Sequence, residues 1–138
     1  MKGFQITTPE STTIRFRYYN NEAPQTCAAF TSTLPFTKTL FHARVSGQEF
    51  WTDNAPGIDV PQENASVFTV PGEVVIGPIK PVRVKTAGAM GIYYGEGKGL
   101  DACNIFAKVA DEDLPLLVKL GEHIWKQGEV ELLFERYE

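Results

Sequence analysis

His42 and Arg44 stand two residues apart, and Glu49 and Trp51 follow within the same short stretch. On a strand, positions two apart share one face at a spacing of about 7 Å. An imidazole and a guanidinium so placed can grip a carboxylate or another anion. Ala43 and Val45 are small and apolar and are expected to point inward, which sends His42 and Arg44 to the outer side. The competing reading is a plain strand face whose polar groups bond Glu49 or neighbouring carbonyls. Trp51, Tyr93, Tyr94 and Asn104 add ring surface and an amide. Tyr93 and Tyr94 are adjacent, so one of them must face away from the core. The candidate ligand-binding set is therefore His42, Arg44, Trp51, Tyr93, Tyr94 and Asn104, with the segment 53–72 as its cover. No residue is assigned a catalytic role.

Other groups make weaker candidates. Cys27 and Cys103 are too few for a disulfide framework or a four-ligand zinc site, and both read as buried thiols. His42, Arg44 and Glu49 mimic the H-x-H-x(4)-E metal spacing of cupins, but a guanidinium cannot ligate a cation. No histidine follows Pro71-Gly72 to complete such a set. Asp53, Asp59 and Glu63 match no calcium loop. Gly95-Glu96-Gly97-Lys98-Gly99 lacks the spacing of a phosphate-binding loop and reads as a hairpin tip. His123 reads as structural, near the C-terminal end of a helix. No metal site and no cofactor are expected.

The elements that must hold these residues are mostly short strands. In Thr12–Tyr19, Ile14, Phe16 and Tyr18 alternate with Arg15 and Arg17, the pattern of a half-buried strand. Phe4–Thr8 is its weaker hairpin partner. Pro24 opens a helix with Cys27, Phe30, Thr31 and Leu34 on one stripe, and Pro35 ends it. Thr37–Val45 reads as a strand, continued after Gly47 by Glu49–Thr52. Pro56-Gly57 and Pro71-Gly72 mark Asp53–Gly72 as a long loop in which only Ser66–Val70 looks able to pair. Strands follow at Glu73–Gly77, Val82–Lys85, Met90–Tyr94 and Asn104–Val109. A second helix carries the stripe Leu114, Leu117, Val118, Gly121, Ile124 and Trp125, with acids at its start and Gly128 at its stop. Val130–Tyr137 is the last strand.

The chain has 138 residues, 43% hydrophobic and 22% charged, which points to one domain over residues 1–138. Thirteen Lys and Arg against 17 Asp and Glu leave a net charge of −4, which excludes a protein that tracks phosphate backbones. No signal-like apolar stretch opens the chain, and no run approaches the ~20 apolar residues of a membrane helix. A soluble, cytoplasmic protein without nucleic-acid or membrane partners is expected. Helices that interrupt the strand order exclude a simple sandwich, and strands that do not alternate with helices argue against a doubly wound sheet. A mainly β fold remains: a closed barrel capped by helices at about 24–34 and 112–127, since closure removes exposed edges.

Ile14-Arg15-Phe16, then Ala23-Pro24-Gln25-Thr26 and Phe30, resemble the opening of cyclophilins, where a strand is followed by an A/V-P-x-T-x-x-x-F helix. Phe41-His42 falls where cyclophilins carry Phe-His. Leu100-Asp101 with Phe106-Ala107-Lys108-Val109 is similar to the segment leading into their second helix. A closer likeness is to small bacterial and archaeal cyclophilin-like proteins of unassigned function. It rests on Ala23–Phe30 with Leu34-Pro35-Phe36, His42–Gly47, Val70–Glu73, and Cys103-Asn104 with Phe106-Ala107. The resemblance implies a closed eight-stranded barrel and no particular reaction. It also implies that prolyl isomerase chemistry is lost. The family's arginine directly follows Phe-His, where this chain has Ala43, with Arg44 one place later. A one-residue offset on a strand turns a side chain to the other face, unless a bulge restores the register.

Three readings of function follow. The first is a non-isomerase that binds a small anionic metabolite at a pocket on the side of the barrel. The second is a weak peptidyl-prolyl isomerase acting through Arg44. The third is an interaction module forming a homodimer.

Overall fold

Alternation builds the first hairpin. In β1 (Gly3–Thr7) and β2 (Thr13–Tyr18), Phe4 lies opposite Phe16 and Ile6 opposite Ile14, and all four are fully buried. A computed structural model describes residues 2–78 and 86–138. The further elements are α1 (Pro24–Thr31), β3 (Phe36–His42), β4 (Gly47–Thr52), β5 (Ala65–Phe68), β6 (Glu73–Ile76), β7 (Met90–Val109), α2 (Leu114–Gln127) and β8 (Glu129–Tyr137). The strand expected at Val82–Lys85 lies outside the described residues.

The expected closed barrel is present, and all its pairings are antiparallel. Its ring runs β2–β1–β8–β3–β4–β7 and closes from β7 back to β2. The expectation of eight strands in the barrel is corrected: six form the ring, while β5 and β6 pair with β7 outside it. The reason lies in the glycines at 95, 97 and 99. Met90–Tyr94 and Asn104–Val109, expected as two strands joined by a hairpin tip, form one strand of 20 residues. A Cβ at Gly97 would lie 2.7 Å from the Tyr93 ring, and one at Gly95 would lie 2.1 Å from Gln48 Oε1. The glycines give these side chains room to cross the strand. β6 pairs with both ends of β7, with Val74 opposite Ile92 and Ala107.

The core is aromatic. Phe4 stacks on Phe16 at 4.8 Å and packs against Phe30 at 5.0 Å, with Phe106 and Phe134 within reach. Such contacts add about 0.5–1.5 kcal/mol per pair beyond area burial. Cys27 is part of this core, as expected. The helix α2 buries Leu117, Leu120, Gly121 and Ile124, while Trp125, expected on the same stripe, is 66% exposed. A Cβ at Gly121 would lie 2.2 Å from the Tyr94 ring, so the helix rests directly on that tyrosine. The start of α2 is tied to β2 by Asp113, which accepts from the Arg15 backbone N–H and from Nε and Nη2 of its guanidinium. No described helix is long and apolar enough to cross a membrane.

Candidate functional site

β4 alternates across the barrel wall. Phe50 and Thr52 are buried on one side, with Phe50 in the core, while Glu49 and Trp51 take the other, outer face. Across the ladder, Glu49 opposes Tyr93 and Trp51 opposes Gly91. The Glu49 carboxyl lies over Gly91, where a Cβ would be 1.8 Å from Oε2. The Ser46 hydroxyl donates to Glu49 Oε1, and the Tyr93 hydroxyl also hydrogen-bonds the carboxyl. Glu49 is only 7% exposed. Burial pushes its pKa from 4.5 up to about 7, against the pull of the Ser46 and Tyr93 hydrogen bonds. Burial and the neighbouring carboxylate in turn hold the Tyr93 phenol neutral. Among the described residues, no cation forms an ion pair with Glu49.

These groups floor a cleft of about 940 Å3. Its buried base includes Ser46, Glu49, Val75, Met90, Tyr93 and Cys103, and Trp51 lines it half-exposed. Exposed Arg44, Val45, Asp53, Leu100 and Trp125 line its outer parts. A cavity of this size, apolar with a few convergent polar groups, suits a small molecule. Arg44 has no hydrogen-bond or ion-pair partner among the described residues. Cys103 shares a hydrogen bond with Thr86 Oγ1, and burial raises its thiol pKa, so it is not poised as a nucleophile. No group of three or more His, Cys, Asp or Glu converges among the described residues to hold a metal ion.

The structure distributes the six residues singled out in the sequence unevenly. His42 ends β3, and the chain then bends through 44–46 before β4 begins. The strand alternation assumed for this stretch therefore fails: Val45, expected inward, is 74% exposed. His42 and Arg44 both line the cleft, but the imidazole is engaged elsewhere. Its Nδ1 faces the Ala43 carbonyl at 2.8 Å and so carries the proton, which leaves Nε2 to accept from the Tyr94 hydroxyl at 2.7 Å. The ring also meets Trp125 edge-on at 4.8 Å. The pair is thus not a strand-borne clamp, and among the described residues that line the cleft Arg44 alone offers an open cation. Tyr93 and Tyr94 do face opposite sides, but neither is exposed: a second small cluster of Val75, Cys103 and Ile105 covers Tyr93.

Trp51 and Tyr93 line the cleft; Tyr94 and Asn104 do not. Asn104 is fully buried and anchors the long loop instead. Its Nδ2 donates to Thr26 Oγ1 and to the Pro61 carbonyl, and its Oδ1 accepts from the Glu63 N–H. Glu63 Oε1 in turn accepts from the Thr26 N–H at the start of α1, which has no side-chain cap of its own. The loop covers the cleft only in part, through Asp53, Ser66 and Thr69, while its Ile58 and Val60 fill the barrel core. Sequence reasoning missed the role of Glu49 and Ser46. The available signal was an acid on the outward face of a strand with Trp51, but its burial depends on Gly91, which only the pairing brings beneath it.

The model of the family described as "Protein of unknown function (DUF3830)" matches residues 7–135, and the chain belongs to that family. No curated protein matches the chain. Among solved structures, McbB in complex with tryptophan is similar over 96% of this chain, with a TM-score of 0.71 and 16% identity; this chain spans only 44% of the McbB chain. A hypothetical protein from Archaeoglobus fulgidus is similar over 99% of this chain and 95% of its own, with a TM-score of 0.65 and 14% identity. A cyclophilin-type peptidyl-prolyl cis-trans isomerase of Cryptosporidium parvum, solved with the dipeptide Ala-Pro, covers 99% of both chains at a TM-score of 0.54 and 14% identity. The expected cyclophilin-like fold is borne out, and at these identities the likenesses speak of fold alone.

Proposed function

We propose that this DUF3830 protein binds a small carboxylate with a ring-sized apolar body, in the cleft on the outer face of the barrel. The observation that carries the reading is the Glu49 carboxyl, buried on the floor of a cleft of about 940 Å3 with no cation to neutralise it among the described residues. An acid buried for stability alone is normally paired, because desolvating a lone charge is costly. Its partners among the described residues are the neutral Ser46 and Tyr93 hydroxyls, and an amine or an enol hydroxyl of the ligand adds a further donor. Arg44 meets the ligand's carboxylate, which keeps the anionic character expected from the sequence but assigns it to one cation. Trp51, Val75, Met90 and Leu100 surround the apolar body. McbB, which shares the fold, was solved with tryptophan, a ligand of this size and character.

Prolyl isomerase activity is absent on this reading, because Arg44 lies on a bend at the exposed part of the cleft, one place away from the arginine position of cyclophilins, and is not held in a preorganised site. The exposed apolar residues Phe41, Val45, Leu100 and Trp125 serve as the cleft's apolar border rather than as a dimer interface. Thermal shift with tryptophan, phenylalanine and phenylpyruvate tests the proposal. At a hundredfold excess over Kd, a true ligand adds about 2.7 kcal/mol of stability. Arg44→Ala is expected to abolish the shift without lowering the unliganded melting temperature. If none of the three raises the melting temperature, the reading fails. A proline-containing chromogenic tetrapeptide checks the second statement: no acceleration over background is expected.

A further inference from the structure

We propose that Glu49 is an acid–base catalyst that shuttles a proton within a bound α-keto acid, interconverting its enol and keto forms. The proposal rests on the ligand reading above and gives that site a reaction. Three features of the geometry carry it. Glu49 lines the cleft and is only 7% exposed, so a ligand seated in the cavity lies against a residue largely withdrawn from water. Its orientation is set by two donors, Ser46 and Tyr93, and by the space that Gly91 leaves beneath Oε2. A base held in one geometry and shielded from water is the arrangement that general acid–base catalysis asks for. Finally, Arg44 at the exposed border of the cleft has no partner among the described residues and is free to hold the substrate's carboxylate.

The chemistry needs no co-reactant. The Glu49 carboxylate takes the proton of the enol hydroxyl, and the oxygen lone pair forms the C=O bond as the C=C electrons move to the neighbouring carbon. That carbon then takes the same proton back from the Glu49 carboxylic acid. One O–H bond breaks, one C–H bond forms, no atom is oxidised or reduced, and the carboxylate is regenerated. A group whose pKa is about 7 is available in both protonation states near neutrality, which suits a residue that must accept and return a proton. Among the described residues, the titratable groups that line the cleft with it are Tyr93 and Cys103 of β7, both kept neutral by burial, and His42 of β3. Arg44, Asp53 and Asp101 also line the cleft. Ser46 and Tyr93 are positioning residues that set the pKa of Glu49 and hold its orientation.

The test uses the full chain and the enol form of phenylpyruvate, followed by loss of enol absorbance over the buffer-catalysed rate. Acceleration is expected, rising with pH through about 7 as Glu49 ionises. Glu49→Gln is expected to lose roughly 100-fold or more of that acceleration while phenylpyruvate still raises its melting temperature. Ser46→Ala is expected to move the midpoint of the pH profile upward, which a merely structural role would not do. Binding of phenylpyruvate without acceleration overturns the catalytic proposal and leaves the ligand reading standing. Neither binding nor acceleration overturns both. Acceleration that survives in Glu49→Gln overturns the role given to Glu49.

Discussion

Tyr94 and Tyr93, adjacent in β7, pass through opposite faces of the same sheet and end in different chemistry. Tyr94 lies in the main core, with α2 resting on its ring and its hydroxyl donated to His42. Among the described residues, no buried side-chain nitrogen or oxygen there lacks a partner. Tyr93 lies under the second cluster, and its hydroxyl meets a carboxyl that burial has raised to a pKa of about 7. The inner face is thus what stability requires, and the outer face keeps an acid that stability alone would remove. Buried, perturbed acids in clefts are candidates for function on this ground.

The largest expected effect breaks the inner side. Phe4→Ala removes the ring at the centre of the aromatic stack and is expected to cost about 3–5 kcal/mol in urea unfolding. On the outer face, the sign is reversed. Because the folded pKa of Glu49 is raised above 4.5 to about 7, its contribution to stability is full at low pH and is lost as pH rises through about 7. Glu49→Gln is therefore expected to stabilise the protein by up to about 3 kcal/mol near pH 8 and to change it little near pH 5. A urea midpoint for Glu49→Gln that falls at both pH values would erase the contrast between the faces.

Asp113→Asn gives the opposite pH signature. Arg15 hydrogen bonds hold the Asp113 carboxyl below its ordinary value of 3.8, so its stabilisation is present above that value and fades as pH falls. A loss of about 2 kcal/mol at neutral pH is expected, shrinking under acid conditions. Gly91→Ala is expected to cost about 1–3 kcal/mol, because the added methyl overlaps the Glu49 carboxyl and one of them must move. The same change displaces the acid from the cleft floor and should flatten the pH dependence of stability between about 4.5 and 7. The smallest effect is that of Ser46→Ala, read by carboxyl NMR: loss of the strongest hydrogen bond that favours the carboxylate moves the Glu49 midpoint upward, and Tyr93→Phe moves it by less.

Much of the fold was legible because its signals are local. Alternation in Thr12–Tyr19 located β2, and Pro24 and Gly128 marked the start of α1 and the end of α2. The glycines at 95–99 misled because a glycine run has two uses, a turn or a space for a neighbour's side chain, and only the neighbours Tyr93 and Gln48 decide between them. The candidate site was legible in region but not in detail. Trp51, Tyr93, Arg44 and His42 all line the cleft, yet the His42–Arg44 pairing assumed a strand that ends at His42. Asn104 looked like a ligand group because its three hydrogen bonds run to residues 26, 61 and 63, far away in the chain. The burial of Glu49 was hidden for the same reason: it is made by Tyr93 and Gly91 of β7.

The most direct measurement is the titration of the Glu49 carboxyl carbon, followed by NMR in protein labelled at glutamate, with and without phenylpyruvate. A midpoint at about 7, with a resonance that the ligand displaces, is the expected result. A midpoint at the ordinary 4.5, with a resonance that the ligand leaves in place, would contradict the account.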